Sequence, residues 1–541
     1  MSGDDNGHAA PVDRFNLAYC FLLLHGIGFL LPWNVFINAR EYFVDYKLNT
    51  TTSYDADYRL NFMSYLGFAA HFPSLVFAAW NTFSQSGSSL SNPTFRFSGA
   101  MLVEVTVLLF TIAFTMVDTC DIPGTFFGIT IVSVVLINCC VGIHQTLTFG
   151  MAAILPMKYS NAVIVGSNAC GTIISLVNVL TKWLAMIKSR SRKSIVVAAV
   201  AYFMSSVGIV LACVITYFWL RRLEFVRYYS SLGNKRCIEV LSPPEGTSPP
   251  AKKANEHGTQ PDANGYLPAI YTQGDEKDIN ETEEGSQGRR LLLKSMNAVE
   301  AVNNKNTGEH PSDQTLPHSF GSEESTGDEE AAEDKNDSEL LRDCFGICCF
   351  APPLGETRCR AYWSRYLACL SECWPHCLSI WSVFFCSLSV FPAIQSMIRP
   401  NNPNYWISPL WFVDVTCFFF FNLFAVLGCI VSNWIKIPGP RLLWIPVWIR
   451  TLLFIPFFLF CNFGLTNPKL PVLITNDHVY LAAVVIFAFT NGYFASLGIM
   501  YAPRNSPPER AELCGMLAAF FLNLGVFSGV YASRGLVSLV I

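Results

Sequence analysis

The amino-acid sequence has little charge. Only 14% of its 541 residues are Asp, Glu, Lys or Arg, whereas a typical soluble protein has about 25%. A chain of this size with so few charges lacks the polar surface that keeps a folded protein in solution. It also lacks a concentrated basic face for binding phosphates, which argues against nucleic acid as a partner.

Motifs for catalysis and for cofactor binding are missing as well. The sequence contains no Gly-Lys dipeptide, and so it predicts no phosphate-binding loop and no ATP-driven pumping by this chain. No His-Glu-x-x-His or Cys-x-x-Cys pair indicates a metal site, and no nucleophile and base stand at a recognisable spacing. The sequence therefore predicts neither an enzyme nor a bound cofactor or metal.

The 19 cysteines do not form the disulfide framework of a small secreted protein. One group precedes the seventh apolar run and consists of Cys344, Cys348, Cys349, Cys359, Cys369, Cys373 and Cys377. The favoured interpretation of this group is packing combined with reversible palmitoylation of thiols close to a membrane. The alternative is a metal cluster, which is less favoured because no His or carboxylate shares the spacing.

Long hydrophobic runs are what the sequence has in abundance: 52% of its residues are hydrophobic, and the mean hydropathy is +0.35. About 20 residues of apolar helix cross a hydrocarbon core of about 30 Å. Eleven runs are candidates, at about 15–39, 62–83, 97–117, 125–155, 160–186, 194–220, 374–398, 408–434, 441–463, 478–501 and 511–540. They are continuously apolar, without the alternation of barrel strands. The sequence therefore predicts an all-α polytopic membrane protein.

A polar segment at 221–372 divides the apolar runs into two groups. It is rich in Glu, Asp, Ser, Asn, Gly and Pro, and it cannot bury enough apolar surface to offset the entropy of ordering it. We therefore expect four parts, which are a cytoplasmic amino terminus at 1–14, six spans at 15–220, a disordered acidic cytoplasmic loop at 221–372, and five spans at 373–541. Such a loop offers a surface for cytoplasmic partners.

Basic residues near the span ends predict the orientation. Those that flank the central loop are Arg221, Arg222, Arg227, Lys235, Arg236, Arg358, Arg360 and Arg365. They place the loop and the amino terminus in the cytoplasm and the carboxy terminus outside. An opposing signal comes from Lys188, Arg190, Arg192 and Lys193, between the fifth and sixth spans. Asn49, in the sequon Asn49-Thr50-Thr51, then lies in the first external loop as a candidate for glycosylation. The plasma membrane is favoured over an endolysosomal membrane.

Ionisable side chains within the spans are candidates for a solute pathway, because they are costly to bury in a membrane. They are His25, His71, Glu104, His144, Asp414 and Arg450. A neutral imidazole hydrogen-bonded between helices explains each His at least as well as a solute contact. Glu104 and Asp414 are close enough to span ends to reach water. Arg450 is near mid-span, and we expect it to pair with a backbone carbonyl or a carboxylate and hold helices together.

Five segments, taken in order, form a set of motifs. The first is 26–37 (Gly-Ile-Gly-Phe-Leu-Leu-Pro-Trp-Asn-Val-Phe-Ile), followed by Tyr42-Phe43. The second runs from Phe149-Gly150 to Leu155-Pro156, with Tyr159 and Gly166. The others are Phe391-Pro392-Ala393, 421–424 (Phe-Asn-Leu-Phe), and 491–497 (Asn-Gly-Tyr-Phe-Ala-Ser-Leu) with Pro503, Ala511-Glu512, Gly515 and Phe520-Phe521-Leu522. Together they resemble the equilibrative nucleoside transporter family over nearly all of the membrane part.

The resemblance implies facilitated diffusion of nucleosides or nucleobases through a major-facilitator-like bundle of six and five helices. Its two halves rock around a central site. It maps the substrate pocket onto Leu30, Trp33, Asn34, Ile37, His71, Ser74, Ser167, Asn168, Phe391, Asn422 and Val526. It maps gating positions onto Arg96, Glu512 and Pro392. Aromatic and aliphatic walls suit a base, while amides and hydroxyls suit a ribose. The alternative is that the Gly, Pro and Trp residues only pack helices closely.

The sequence departs from the family's pattern in three respects. Ala425 and Cys429 replace an acid and a base on the family's pore face. Ser167 followed by Asn168 stands where many members have a base-contacting glutamine, and His71 occupies a usually apolar position. We therefore expect a pore face without charge, at which neutral groups bind the solute. The alternatives are a carrier of another purine-like or amine solute, and a transport-inactive membrane sensor or scaffold.

Overall fold

The protein is largely helical in the computed structural model, which describes residues 11–39, 41–50, 56–60, 62–84, 92–119, 121–187, 192–241, 356–465, 469–504 and 506–540. The amino-terminal half contains α1 (Leu17–Asn38), α2 (Phe62–Phe83), α3 (Pro93–Thr115), α4 (Pro123–Ile154), α5 (Met157–Ile187) and α6 (Arg192–Arg222). The carboxy-terminal half contains α7 (Glu356–Val390), α8 (Pro409–Val431), α9 (Trp444–Leu459), α10 (Asp477–Tyr501) and α11 (Ala511–Val540). A π-helical turn, Asp414–Phe419, interrupts α8.

Most of these helices can cross a membrane. Within the described ranges, ten helical segments are long and apolar enough to do so. The other predicted span corresponds to α2, a helix of 22 residues, which is about 33 Å long at 1.5 Å per residue. The chain is an all-α, multi-pass membrane protein, as the sequence predicts.

Asparagine side chains define the first turns of α3 and α10. Asn92 Oδ1 accepts a hydrogen bond from the Thr94 amide at 3.0 Å, and Asn476 Oδ1 accepts one from the His478 amide at 2.9 Å. Each bond satisfies an N–H group that a helix start leaves without an intrahelical partner. Pro93, at the first helical position of α3, loses no bond there for the same reason. These residues therefore set where the two helices begin.

Helix extends into both ends of the segment predicted as a disordered loop. The helix Glu224–Leu241 follows α6, and α7 begins at Glu356. Phe225 and Val226 are buried, and the Phe225 ring lies 5.0 Å from that of Tyr159, so this part of the segment does bury apolar surface. The prediction of disorder is wrong at these two ends. Residues 242–355 lie outside the described part of the chain, and the four-part division stays a prediction.

Glycines bring α1 and α5 into backbone contact. A Cβ atom on Gly26 would lie 2.2 Å from the Val163 carbonyl oxygen, and one on Gly166 would lie 2.0 Å from that of Leu23. Any larger residue at either position would have to push the helices apart. Small residues allow such close packing between membrane helices. The two helices therefore hold the pocket residues that they carry at fixed relative positions.

Arg450 ties three helices of the carboxy-terminal half together. Its guanidinium group is buried and donates to the Val383 carbonyl at 3.2 Å, the Phe487 carbonyl at 3.1 Å, Ser387 Oγ at 2.8 Å and Thr490 Oγ1 at 3.1 Å. These acceptors belong to α7 and α10, whereas Arg450 is on α9. Multiple hydrogen bonds offset the cost of burying the charge. The prediction that Arg450 pairs with backbone carbonyls and holds helices together is confirmed.

Candidate functional site

The predicted pocket residues belong to six helical spans. These side chains are half-buried, with the exception of Ser74, which is buried: Leu30, Trp33, Asn34, Ile37, His71, Ser74, Ser167, Asn168, Phe391, Asn422 and Val526. Side-chain contacts join neighbouring helices in pairs. In order around the ring, the helices are α11, α2, α1, α5, α8 and α7, and α7 contacts α11 again. The residues therefore lie on a closed ring of helices drawn from both halves.

Two contacts join α11, α2 and α1 on one side of this ring. Ser74 Oγ on α2 donates to Asn523 Oδ1 on α11 at 3.5 Å. His71, one helical turn before Ser74, has its ring centroid 4.7 Å from that of Trp33 on α1, with the ring planes at 56°. Trp33 and His71 thus form an aromatic pair beside a hydroxyl and an amide. An aromatic wall next to hydrogen-bonding groups suits a planar polar solute.

Asn34 continues the ring from α1 to α5. Its Nδ2 donates to the Leu30 carbonyl at 3.0 Å and lies 3.8 Å from Cys170 Sγ. The bond to Leu30 runs back along α1 and fixes the direction of the amide. Ser167 is similarly tied to its own helix, because its Oγ donates to the Ile164 carbonyl at 2.9 Å. Both polar groups are therefore oriented by local bonds.

Four polar residues of α5, one every seven residues, face α8. They are Asn161, Asn168, Ser175 and Lys182. Seven residues are close to two turns of an α-helix, so the four lie on one face. We call the contact that they make with α8 the polar seam. It joins the amino-terminal half to the carboxy-terminal half along the length of both helices.

The contacts of the polar seam run in antiparallel order. Asn161 Nδ2 donates to the Cys429 carbonyl at 2.7 Å, and Asn168 Nδ2 lies 3.4 Å from Cys429 Sγ. Further along α5, Ser175 Oγ accepts from Asn422 Nδ2 at 3.4 Å. At the far end, Lys182 Nζ is 2.6 Å from Asp414 Oδ1. One charged pair and a series of neutral groups therefore connect the halves.

Asn422 occupies a space that only a glycine leaves open. A Cβ atom on Gly171 of α5 would lie 2.1 Å from Asn422 Oδ1. The amide also donates to the Phe418 carbonyl, one turn earlier on α8, at 2.8 Å. Gly171 thus lets the amide reach from α8 to the surface of α5. This contact positions Asn422 next to Ser175 within the seam.

Phe391 closes the ring on the other side. It follows α7, is joined to Pro392 by a cis peptide bond, and stacks on Phe421 of α8 with ring centroids 4.0 Å apart and planes at 7°. Trp381 of α7 then donates from Nε1 to Ser528 Oγ of α11 at 3.1 Å. Val526 is a near neighbour of Ser528 on the same helix and is half-buried. On this side of the ring, the predicted aromatic residue Phe391 and aliphatic residue Val526 therefore lie on, or directly after, helices that also contribute a polar contact.

Ala425 and Cys429 do not line an open pore face, which corrects that expectation. Both side chains are fully buried. A Cβ atom on Gly492 of α10 would lie 1.9 Å from the Ala425 carbonyl oxygen and 2.9 Å from Cys429 Sγ. The two residues therefore pack α8 against α10.

The proposed gate residues Arg96 and Glu512 are near enough for their charges to act on each other. Arg96 donates from Nη1 to the carbonyl and to Oδ1 of Asn81, at 2.9 and 2.8 Å. The positive charges of Arg221, Arg365 and Arg96 act on the Glu512 carboxyl group. Glu512 and Arg221 both line a cavity of about 380 Å³. In the described part of the chain, the ion pairs recorded do not include one between Arg96 and Glu512. Their role as a gate stays a prediction.

A second contact between the halves is formed by α2 and α11. The ring pairs Phe68–Tyr531 and Phe72–Phe527 have centroids 6.2 and 5.9 Å apart. Ser74 and Asn523 supply the polar contact described above. We call this contact the aromatic seam. It is chemically unlike the polar seam, although both connect the same two halves.

Two predictions outside the pocket can be compared with the structure. Asn49 is exposed, as a glycosylation acceptor must be. Cys369, Cys373 and Cys377 are fully buried in the helix contacts of α7, and Cys369 Sγ lies 2.8 Å from Cys514 Sγ of α11. A buried thiol cannot accept an acyl chain, so the prediction of palmitoylation is wrong for these three. The side chains of the other four cysteines of the group lie outside the description.

The sequence interpretation missed Ser175, Lys182 and Asn523. Ser175 and Lys182 share the seven-residue spacing of Asn161 and Asn168, which is a signal that the sequence does contain. Asn523 lies one turn before Val526 on α11 and could have been found by the same test of helix faces. Their partners, however, are more than 200 residues away in the chain.

The protein is a helical, multi-pass membrane protein, and its two halves meet along a line of mostly neutral polar side chains. These are features of a solute carrier. The family model described as "Nucleoside transporter" matches residues 131–272 and 292–537. The chain belongs to this nucleoside transporter family.

Curated relatives match over almost the whole length. Equilibrative nucleoside transporter 1 of Rattus norvegicus is 25% identical, with 98% of this chain and 99% of the relative covered. Equilibrative nucleoside transporter 2 of Homo sapiens is 26% identical, with 97% of each chain covered. Among solved structures, a major facilitator superfamily proton:xylose symporter is 9% identical with a TM-score of 0.49, covering 97% of this chain and 88% of that one.

Proposed function

We propose that this protein carries nucleosides, and with them nucleobases, across a membrane by facilitated diffusion and alternating access. The observation that carries the proposal is the family match, which spans helices of both halves. Full-length similarity to equilibrative nucleoside transporters supports it further. The ring of helices is consistent with a solute path between the halves, because its contacts include both aromatic and neutral polar groups.

The proposed substrate site is uncharged. Trp33 and His71 provide ring surfaces for a base, and the amides of Asn34, Asn168 and Asn422 can both donate to and accept from ribose hydroxyls. A neutral hydrogen bond contributes about 0.5–1.5 kcal/mol, whereas one to a charged group contributes about 1.5–3 kcal/mol. A site of neutral groups therefore binds each ribose hydroxyl more weakly than a charged site would, and this difference does not affect nucleobases, which have no ribose.

The proposed gates lie at opposite ends of the bundle. Lys182 and Asp414 form an ion pair across the polar seam, on the external side in the predicted orientation, where Pro392 also lies. Arg96 and Glu512 are on the cytoplasmic side in that orientation, and we assign their direct pairing to another conformation of the cycle. If they form the gate, reversing both charges restores the uptake that each single reversal loses. If the double reversal is no better than the single ones, they are not a gate.

The finer localisation is part of the same proposal. We place the amino terminus in the cytoplasm, the carboxy terminus outside and the protein in the plasma membrane, with a glycan on Asn49. The central loop would then face cytoplasmic partners. Glycosidase treatment should change the electrophoretic mobility of the wild-type protein and leave that of Asn49→Gln unchanged. This result would support the placement of the first loop outside the cell.

Uptake of labelled adenosine and uridine in cells that lack nucleoside uptake tests the proposal. We expect saturable uptake of both that equilibrates across the membrane. Trp33→Ala should lower it about 5- to 100-fold at equal surface expression, because stacking of a base on an aromatic ring contributes about 1–3 kcal/mol. Trp219→Ala is the control, since Trp219 is an exposed Trp of α6.

The alternatives give different results in the same assay. Uptake of an amine or another purine-like solute without nucleosides would indicate altered selectivity. No uptake of any of these solutes by protein at the cell surface would indicate a sensor or scaffold. Either outcome contradicts the proposed function.

A further inference from the structure

Four ionisable side chains from four different helices meet in the interior of the amino-terminal half. His25 is on α1, Glu104 on α3, His144 on α4 and Cys213 on α6, and all four are fully buried. His25 Nδ1 lies 2.9 Å from His144 Nε2. One ligand atom from each His and the Cys213 thiol lie within 4.8 Å of one another. Glu104 acts electrostatically on the Cys213 thiol, so its carboxyl group lies near these three ligand atoms, although it is not within 4.8 Å of all of them.

The hydrogen bonding of this cluster is incomplete. Among the residues that the structure describes, neither carboxyl oxygen of Glu104 has a hydrogen-bond partner, and His144 Nδ1 has none. Buried polar atoms almost always have partners, because leaving them without one is costly. The buried guanidinium group of Arg450, by contrast, makes four hydrogen bonds. The buried carboxyl group of Glu104 therefore has room for a binding partner that the described residues do not supply.

We propose that His25, His144 and Cys213 bind one Zn²⁺ ion within the bundle, and that the carboxylate of Glu104 moves towards the ion as its fourth ligand. Two imidazoles, a thiolate and a carboxylate are all ligands that zinc takes in proteins, usually four at a time and in tetrahedral geometry. The thiolate and the carboxylate together neutralise the two positive charges of the ion. A neutral assembly is the form that a low-dielectric interior tolerates.

The two histidines need only a small change in position to admit the ion, whereas the side chain of Glu104 has to move further towards it. Two nitrogens bound to one tetrahedral zinc, each at about 2.0–2.1 Å, lie about 3.3 Å apart. The facing nitrogens of His25 and His144, at 2.9 Å, would separate by a few tenths of an ångström. The two histidines hydrogen-bond to each other in this structure, and the ion would replace that bond.

Two neighbours support this arrangement. A Cβ atom on Gly28 of α1 would lie 2.4 Å from Cys213 Sγ and 3.5 Å from His144 Cε1, so the glycine leaves room for both ligands. Thr216 Oγ1 lies 3.4 Å from His25 Nε2, the ring nitrogen that does not face His144. A partner on the second ring nitrogen is the usual way of orienting a metal-binding histidine. The ion would join α1, α3, α4 and α6 into one rigid unit.

Metal content of the purified full-length protein tests this proposal independently of transport. After incubation with Zn²⁺ and removal of loosely bound metal, we expect one zinc per chain by elemental analysis. Cys213→Ser and His144→Asn should each lower the content at least fivefold, and Glu104→Gln, which keeps the shape of the side chain, should weaken Zn²⁺ binding at least tenfold. Cys386→Ser is the matched control, because Cys386 is an equally buried thiol in the carboxy-terminal half, and it should keep the full content.

The coordination shell of wild-type protein provides a second measurement that requires no variant to fold. X-ray absorption at the zinc edge should show one sulfur at about 2.3 Å and three nitrogen or oxygen ligands at about 2.0–2.2 Å. Absence of zinc from wild-type protein, or a shell without a single sulfur, overturns the proposal. So does full zinc content in both well-folded Cys213→Ser and His144→Asn. None of these results bears on whether the protein carries nucleosides.

Discussion

The polar seam and the aromatic seam join the same two halves with different chemistry. Along the polar seam, α5 meets α8 through amides, a hydroxyl and an ion pair. Along the aromatic seam, α2 meets α11 through Phe and Tyr rings that flank a hydroxyl–amide contact. Hydrogen bonds have specific directions, whereas ring contacts tolerate small displacements. The comparison suggests that the polar seam recognises the solute, while the aromatic seam allows the halves to move.

Among changes within the two seams, the largest expected effect comes from making the polar seam apolar at its centre. Asn168→Leu removes the amide that contacts Cys429 and that we assign to ribose. Losing one hydrogen bond of about 0.5–1.5 kcal/mol lowers adenosine uptake at low concentration about two- to twelvefold. Phe527→Leu is the matched change in the aromatic seam and should alter uptake less than twofold. Equal losses in the two variants, at equal surface expression, would remove the distinction between the seams.

A smaller effect is expected from filling the space beside Asn422. The Cβ atom introduced by Gly171→Ala would lie 2.1 Å from Asn422 Oδ1, so the amide must rotate away from Ser175. An off-rotamer side chain costs about 0.5–1.5 kcal/mol, and we expect the KM for adenosine to rise about threefold. Gly208→Ala on α6 is the control, because no heavy atom lies within 4 Å of its added Cβ. An unchanged KM in Gly171→Ala would show that Asn422 does not contact the solute.

The smallest effect is expected at the charged end of the polar seam. Lys182 is 40% exposed, and an ion pair with so much solvent access contributes about 0–1 kcal/mol. Asp414→Asn should change the uptake rate of adenosine about twofold, with less difference from wild type as ionic strength rises. Exchanging the two charges, Lys182→Asp with Asp414→Lys, should restore the rate. Failure of the exchange would mean that the pair does not act as a gate.

The sequence predicts the helices well, because membrane spans are long and continuously apolar. The prediction of disorder from polar composition was wrong at 224–241 and 356–372, where the chain forms helix. Phe225 and Val226 explain the first case, since two apolar side chains packed against the bundle are enough to order the start of that helix.

Side-chain partners across the bundle could not be predicted from the sequence. The pocket positions came from the resemblance, and the structure places them on one ring of helices. The burial of Ala425 and Cys429 depends on Gly492, which is far away in the chain. His25 and His144 are 119 residues apart, and no periodicity indicates that they meet. Local sequence patterns therefore predict where the helices lie and which residues share a helix face. Contacts between residues of different helices can be seen only in the packed structure.

Adenosine equilibration in liposomes that contain only this purified protein tests the central claim most directly. With no ion gradient, the account predicts that internal adenosine rises to the external concentration and stops there, and that ionophores leave this end point unchanged. Liposomes with Asn168→Leu should approach the same end point about two- to twelvefold more slowly, because one hydrogen bond of about 0.5–1.5 kcal/mol is lost. Wild-type liposomes that take up no more adenosine than empty ones, or that accumulate it above the external concentration, would contradict the account.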